Sequence, residues 1–373
     1  MRGRLGRRRL GRSSLAALLV IAGAGAAQTA SVSLVDLPFA IEAFRGPDTE
    51  VAATLPTTSL LGNAKLMPGR PLVAVWGKGG GAALVASGTQ VRVVPWQGPE
   101  AAEGLGPEAP QDAIAHARRR RSGAFSAYFA EPRTTYPHGA LGDRIEAGRL
   151  VITERKALGG LTSEVRAVPV TTATVEAGED HVFEDLEPRF ADLDGDGTPE
   201  ILVVRSHTER GASLSVVARR NGAWRIVAET PPIGAPKRWL NPAAIAAFAG
   251  EGQALIALVR APHQEGVLQL WSFASDQLSL MAETPGYSNH AFGSTALALA
   301  AALDLDGDGR PELVLPTLDR SALAILSLSG TIREVGRVAL PARIDRGLAA
   351  LGTGREALLL AGLEDGRVAL VRP

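Results

Sequence analysis

The chain has 373 residues, of which 46% are hydrophobic and 21% charged, and its 39 basic groups balance 39 acidic ones. That is a globular composition with material for a large core, and it excludes a disordered acidic tail, a collagen and a histone-like basic protein. The absence of cysteine removes disulfides, zinc–thiolate sites, iron–sulfur clusters, thiol catalysis and lipobox acylation together.

At the N-terminus, residues 1–12 carry six arginines and no acid, and an apolar run at 15–24 precedes Gly25, Ala26 and Ala27. A basic start, a short apolar stretch and an Ala-x-Ala site at 24–26 read as a secretory signal over residues 1–27. The run is too short to span a bilayer, and no segment of the mature chain reaches the required length. Arg7-Arg8-Arg9-Leu10 fits a loose twin-arginine pattern, so general secretory and twin-arginine export both stay open. Either route leads to the periplasm or beyond the cell. Without these arginines acids outnumber bases, and the electrostatic footprint of nucleic-acid binding is lost.

Residues 28–48 read as a linker, and from residue 49 to 373 the chain repeats itself. Apolar runs recur at 72–75, 150–152, 201–204, 255–259, 313–315 and 357–360, in steps of about 50 residues. Each is followed by a second run with strand alternation, at 91–94, 165–168, 214–217, 267–271, 322–326 and 368–371. A third run at 224–231, 278–285 and 332–341 ends in proline, and two of these share Ala-Glu-Thr-Pro. Short strands in units of this size predict an all-β propeller of four-stranded blades, six by this count. The final unit lacks its third run, and residues 50–56 resemble one, so an N-terminal strand there would close the ring and remove an exposed edge. The oversized first interval holds residues 98–121, rich in Gly, Glu, Ala and Arg, which read as a loop insertion. A seventh blade within it is the competing count.

Two segments carry the strongest chemistry: Asp192-Leu-Asp-Gly-Asp-Gly-Thr-Pro-Glu200 and Asp304-Leu-Asp-Gly-Asp-Gly-Arg-Pro-Glu312. Alternate aspartates turn carboxylates toward one point, glycines permit the sharp loop, and calcium takes six to eight hard oxygen ligands. One predicted site uses Asp192, Asp194, Asp196, Glu200 and the Thr198 carbonyl. The other uses Asp304, Asp306, Asp308, Glu312 and the Arg310 carbonyl. Position twelve holds Val203 and Leu315 where an EF-hand needs glutamate, and apolar strand sequence follows each loop, so an EF-hand is excluded.

Asp-x-Asp-Gly-Asp-Gly-x-Pro-Glu before an apolar strand resembles the FG-GAP or VCBS repeat, known from integrin α-subunit propellers and bacterial envelope proteins. The specific motif covers two units, and the strand rhythm extends the likeness over residues 50–373. The resemblance implies a propeller with calcium in the loops between the two inner strands of a blade. The corresponding loops near Asp143, at 249–252 and at 352–355 depart from the motif and should be metal-free.

Loops on the opposite face would then gather His138, His181, His207, His263 and His290, with Tyr136, Arg238, Trp239 and Tyr287, into a ligand face at the propeller's mouth. Catalytic signatures are absent from the sequence: there is no Gly-x-Ser-x-Gly, phosphate loop, His-Glu-x-x-His or Gly-x-Gly-x-x-Gly. Lys78 among glycines lacks the phosphate-loop spacing and reads as a hairpin turn. Arg118–Arg121 is either an anion or acidic-partner contact or a solvated loop. The expectation is a monomeric, exported, calcium-binding module, non-catalytic, whose partner is an envelope protein or glycan. The alternative is a propeller enzyme, such as a polysaccharide lyase or glycosidase, acting at the histidine-rich mouth.

Overall fold

The computed structural model describes residues 30–62, 66, 69–96, 105, 107–156, 169–250, 252 and 254–373. The expected signal over 1–27, the run at 165–168 and residues 98–104 and 106 of the expected insertion lie outside the described residues. The described chain is nearly all β, in antiparallel sheets.

β1 (Ser31–Leu34) belongs to the last sheet. The first sheet is β2 (Ala43–Arg45), β3 (Leu72–Gly77), β4 (Gly80–Ser87) and β5 (Gln90–Pro95), in that spatial order. Two four-stranded runs follow. One is β6 (Arg120–Ser122), β7 (Phe125–Arg133), β8 (Glu146–Arg155) and β9 (Val170–Glu176). After β10 (His181–Phe183) comes the other: β11 (Arg189–Ala191), β12 (Glu200–His207), β13 (Gly211–Arg220) and β14 (Ala223–Glu229). β10 pairs with the far half of β12 and, through Phe183, with Ala147 of β8, which joins the two runs into one sheet. Next come β15 (Leu240–Ala246), β16 (Leu255–Arg260), β17 (Val267–Ala274) and β18 (Gln277–Pro285), then β19 (Ala301–Leu303), β20 (Glu312–Pro316), β21 (Ala322–Ser327) and β22 (Arg333–Ala339). The last sheet is β23 (Ile344–Leu351), β24 (Leu358–Leu363) and β25 (Val368–Arg372), with β1 outermost.

Burial explains why some strands stand out in the sequence. Strands such as β12, β13, β16, β20 and β24 are buried along nearly their whole length, so both faces are apolar and the sequence is a continuous run. The outer strands β14, β18 and β22 are largely exposed. The core lies between consecutive sheets: Val259 and Leu268 meet Leu313 and Ala324, while Val73 and Leu84 meet Leu358 and Leu360. The first strands lie side by side: β11 by β6, β15 by β19, β19 by β23, and β23 by β2. A cavity of about 400 Å³ is bordered by the chain after β2 and by residues of β6, β11, β15, β19 and β23, among them Arg120, Arg189, Ala244 and Ala350.

Three expectations need correction. Residues 50–56 are not a closing strand: Glu50–Thr54 is a short α-helix, α1, whose N-cap Thr49 accepts from the Ala52 amide. Val51, Ala52 and Leu55 are buried at helical spacing, which alternation cannot satisfy. The outermost place in the last sheet goes to β1 instead, with Ser31 opposite Arg372 and Leu34 opposite Ala369. The expected linker at 28–48 therefore carries β1 and β2. Nor is the insertion at 98–121 wholly a loop, because Arg120 and Arg121 lie in β6 and Ala113 bridges Ala130.

Candidate functional site

The first acidic loop joins β11 to β12 and the second joins β19 to β20, the first and second strands of their units. Their internal bonding is the same. Asp192 accepts from the Gly195 and Gly197 amides (2.8 and 3.1 Å), and Asp304 accepts from Gly307 and Gly309 (2.7 and 2.9 Å). Gly195 and Gly307 have φ of 76° and 83°, a conformation that L side chains rarely adopt. Glu200 and Glu312 reach back to the Leu193 and Leu305 amides, both at 2.9 Å.

This folding brings oxygens of Asp192, Asp194 and Glu200 within 4.8 Å of one another, and does the same for Asp304, Asp306 and Glu312. Asp196 and Asp308 stand outside those groups and turn onto the Thr198 and Arg310 amides. Burial, with the charges of Asp194 and Asp196, pushes the Glu200 carboxyl up. Burial, with Asp306 and Asp308, does the same to Glu312. The donor set suits a hard divalent cation, since each carboxylate keeps lone pairs beyond those taken by amide hydrogens.

Antiparallel pairing carries the other connections to the far side. There His138, His263, His290, Trp239 and Tyr136 come together, as the sequence places them. The His263 ring lies parallel to the Trp239 indole, 5.9 Å away and tilted by 8°. His263 Nε2 and His290 Nδ1 are 2.8 Å apart, and His290 Nε2 lies 2.9 Å from the Ser294 carbonyl. A carbonyl only accepts, so His290 Nε2 carries a proton, His263 Nε2–H donates to His290 Nδ1, and His263 Nδ1 is left as an acceptor. Burial, then the charges of His138 and Arg320, pull His263 down to about 4, so the ring is neutral near pH 7.

His138 Nδ1 meets Glu184 Oε1 at 2.5 Å, and the other carboxyl oxygen accepts from Ser206 Oγ. Glu184 is wholly buried, and burial raises its carboxyl against the pull of His138 and Ser206. Nearby Glu146, also buried, is pushed up to about 10 by burial and by Glu184, Asp143 and Asp185, so it stays protonated. Ser206 Oγ donates to Glu184, so the hydroxyl and His138 share the two oxygens of one buried carboxyl.

His138, Lys237, Arg238, Trp239, His263 and Phe292 line a cavity of about 300 Å³. Phe292 is 60% exposed and touches both His138 and His263 edge-on. Sequence reasoning did not single out Phe292 or Glu184, and only their neighbours His290 and His181 marked the segments. Not every expected residue joins this group. His181 and His207 pair with each other on β10 and β12, with rings 4.8 Å apart. Tyr287 is buried and donates to Glu334 instead. Trp239 and His290 are buried too, so they form the wall rather than a contact surface.

The arginine run is not a free anion site. Arg118 pairs with Glu187, Arg119 and Arg121 with Glu50, and Arg120 with Asp48. Burial opposes ionisation of Glu187, but Arg118, Arg120 and Arg189 together hold it down to about 2. The run fastens α1 and the chain after β2 onto the second unit. Lys78 lies in the turn between β3 and β4.

No family model matches the sequence, and no curated protein matches it. Among solved structures the chain is similar to Sqt1 of Saccharomyces cerevisiae, at 12% identity and a TM-score of 0.40, covering 66% of this chain and 56% of that one. The chain thus spans a little over half the length of that protein.

Proposed function

We propose that this chain is a six-bladed β-propeller of the FG-GAP/VCBS type, exported to the bacterial cell envelope, where it holds calcium in two loops and binds a protein or glycan without catalysis. Six four-stranded runs, the contacts between first strands, and the cavity bordered by five of those strands and the chain after the sixth support the ring. Pairing of β1 with β25 supports its closure by both ends of the chain.

One observation carries the function: acids and ligand-type side chains are segregated. The acidic loops occupy one side of the sheets, while an aromatic, histidine-lined cavity with a cationic rim occupies the other. Carboxylates committed to a metal are structural, whereas exposed aromatic and cationic groups around a concavity are what recognition uses. The test is an unbiased glycan and envelope-protein screen in calcium, repeated with the double variant Lys237→Ala/Phe292→Ala. A ligand retained by the wild type and lost by the double variant supports the assignment. Ligands bound equally by both would remove the site from this face.

A further inference from the structure

Resting on that reading of the face, we propose that the cavity lined by His138, Lys237, His263 and Phe292 binds a hydroxylated carboxylate the size of one sugar ring, a uronic acid unit. Each feature of such a ligand meets a matching group. The Lys237 ammonium is exposed and forms no ion pair among the described residues, and Arg238 beside it is held only by exposed Glu265. Together they offer the carboxylate two cations, one of them forked.

Hydroxyl groups find one donor and one acceptor. His263 gives its Nδ1 lone pair, because its other nitrogen is committed to His290. His138 supplies the donor. Its Nδ1 shares a proton with the wholly buried Glu184, and a net negative charge is costly in that spot, next to Asp185 and Glu146. The pair therefore keeps the proton on Nε2, and that N–H is what His138 can offer a ligand. The exposed ring of Phe292 supplies a flat apolar face for the C–H side of a pyranose. The cavity, about 300 Å³, lies at the small end of ligand pockets, which fits one ring rather than a long chain.

A wholly buried glutamate spent on positioning a histidine at a cavity has no packing purpose that an apolar residue would not serve better. His138 and Glu184 are thus positioned for a ligand rather than for the core.

The probes are glucuronate, its neutral amide glucuronamide, glucose and inorganic phosphate, titrated into the full chain in calcium and followed by calorimetry and tryptophan fluorescence. Glucuronate should bind at least tenfold more tightly than glucuronamide or glucose, and more tightly than phosphate. Phe292→Ala and Lys237→Ala, both exposed, should each weaken it about tenfold without changing the melting temperature. His138→Gln should weaken it too, and His138→Asn serves if the glutamine variant melts early. Equal binding of glucuronamide would overturn the carboxylate, and equal binding of phosphate would overturn the sugar. Full retention in Phe292→Ala and Lys237→Ala would overturn the site. If no probe binds while a partner from the unbiased screen is still lost by the double variant, the ligand class falls and the face stands. If that partner binds the double variant undiminished, the face itself falls.

Discussion

The two acidic loops share one set of backbone hydrogen bonds and differ in a neighbour. Beside the loop at 192–200, Arg220 at the end of β13 reaches Asp194 at 2.9 Å and Glu200 at 3.5 Å, and it also holds Asp276 at 2.8 Å. Beside the loop at 304–312, no ion pair to Asp304, Asp306, Asp308 or Glu312 forms among the described residues. Loop shape is thus written in the motif itself, through aspartates that collect amide hydrogens and glycines that turn the chain. Charge balance comes from outside the motif. The first loop has Arg220 as a counter-charge, and on the proposed calcium reading the second would rely on the added cation to relieve its repulsion.

The largest expected effect follows from that inequality. A cation bound only by the folded chain at a hundredfold excess over Kd adds about 2.7 kcal/mol. Glu312→Gln keeps an acceptor for the Leu305 amide and should forfeit most of the calcium-dependent rise in Tm, while Glu200→Gln should forfeit less. Equal losses in paired melts would mean that Arg220 does not distinguish the loops. Next in size is Arg220→Met. In the Glu312→Gln background it should tighten calcium at the first loop about tenfold, roughly 1.4 kcal/mol, by removing an internal competitor. Calorimetry that finds the affinity unchanged would show that Arg220 does not compete.

The histidine part of the acid response should come from the opposite side and so spare the comparison. Burial, then neighbouring positive groups, hold His181 and His263 down to about 4, and burial with His263 holds His290 well below the usual range. Unfolded histidines titrate near 6.5. Between those values the unfolded histidines bind protons that the folded ones refuse, so the stability these three contribute falls as pH drops from about 6.5 toward 4. The slope of Tm against pH should be the same in Glu200→Gln and Glu312→Gln, and His263→Gln should flatten it. A slope that differs between the loop variants would tie the acid response to the loops. The smallest effect should be equal in both loops: Gly195→Ala and Gly307→Ala meet open space but a positive φ, at about 1 kcal/mol each. Unequal denaturant midpoints would show that the scaffolds differ.

What the sequence made legible was local. The acidic loops lie within nine contiguous residues, and strands buried on both faces announce themselves as apolar runs. The edge strand β1 did not, because Ser31–Leu34 is exposed along its whole length and has no pattern to display. α1 mixes apolar and polar residues over too few positions to separate helical from strand spacing. Arg118–Arg121 was ambiguous because its partners Asp48, Glu50 and Glu187 lie 69 to 72 residues away. Topology gathered the histidines correctly in part, yet the burial of Trp239 and the exposure of Phe292 are tertiary facts with no local signature.

The proposed calcium sites are tested most directly by thermal unfolding of the chelator-stripped chain with and without millimolar calcium. Calcium should raise Tm by several degrees, since about 2–4 °C accompanies each kcal/mol in large domains, and the rise should shrink more in Glu312→Gln than in Glu200→Gln. The same Tm in chelator and in calcium would contradict both metal assignments.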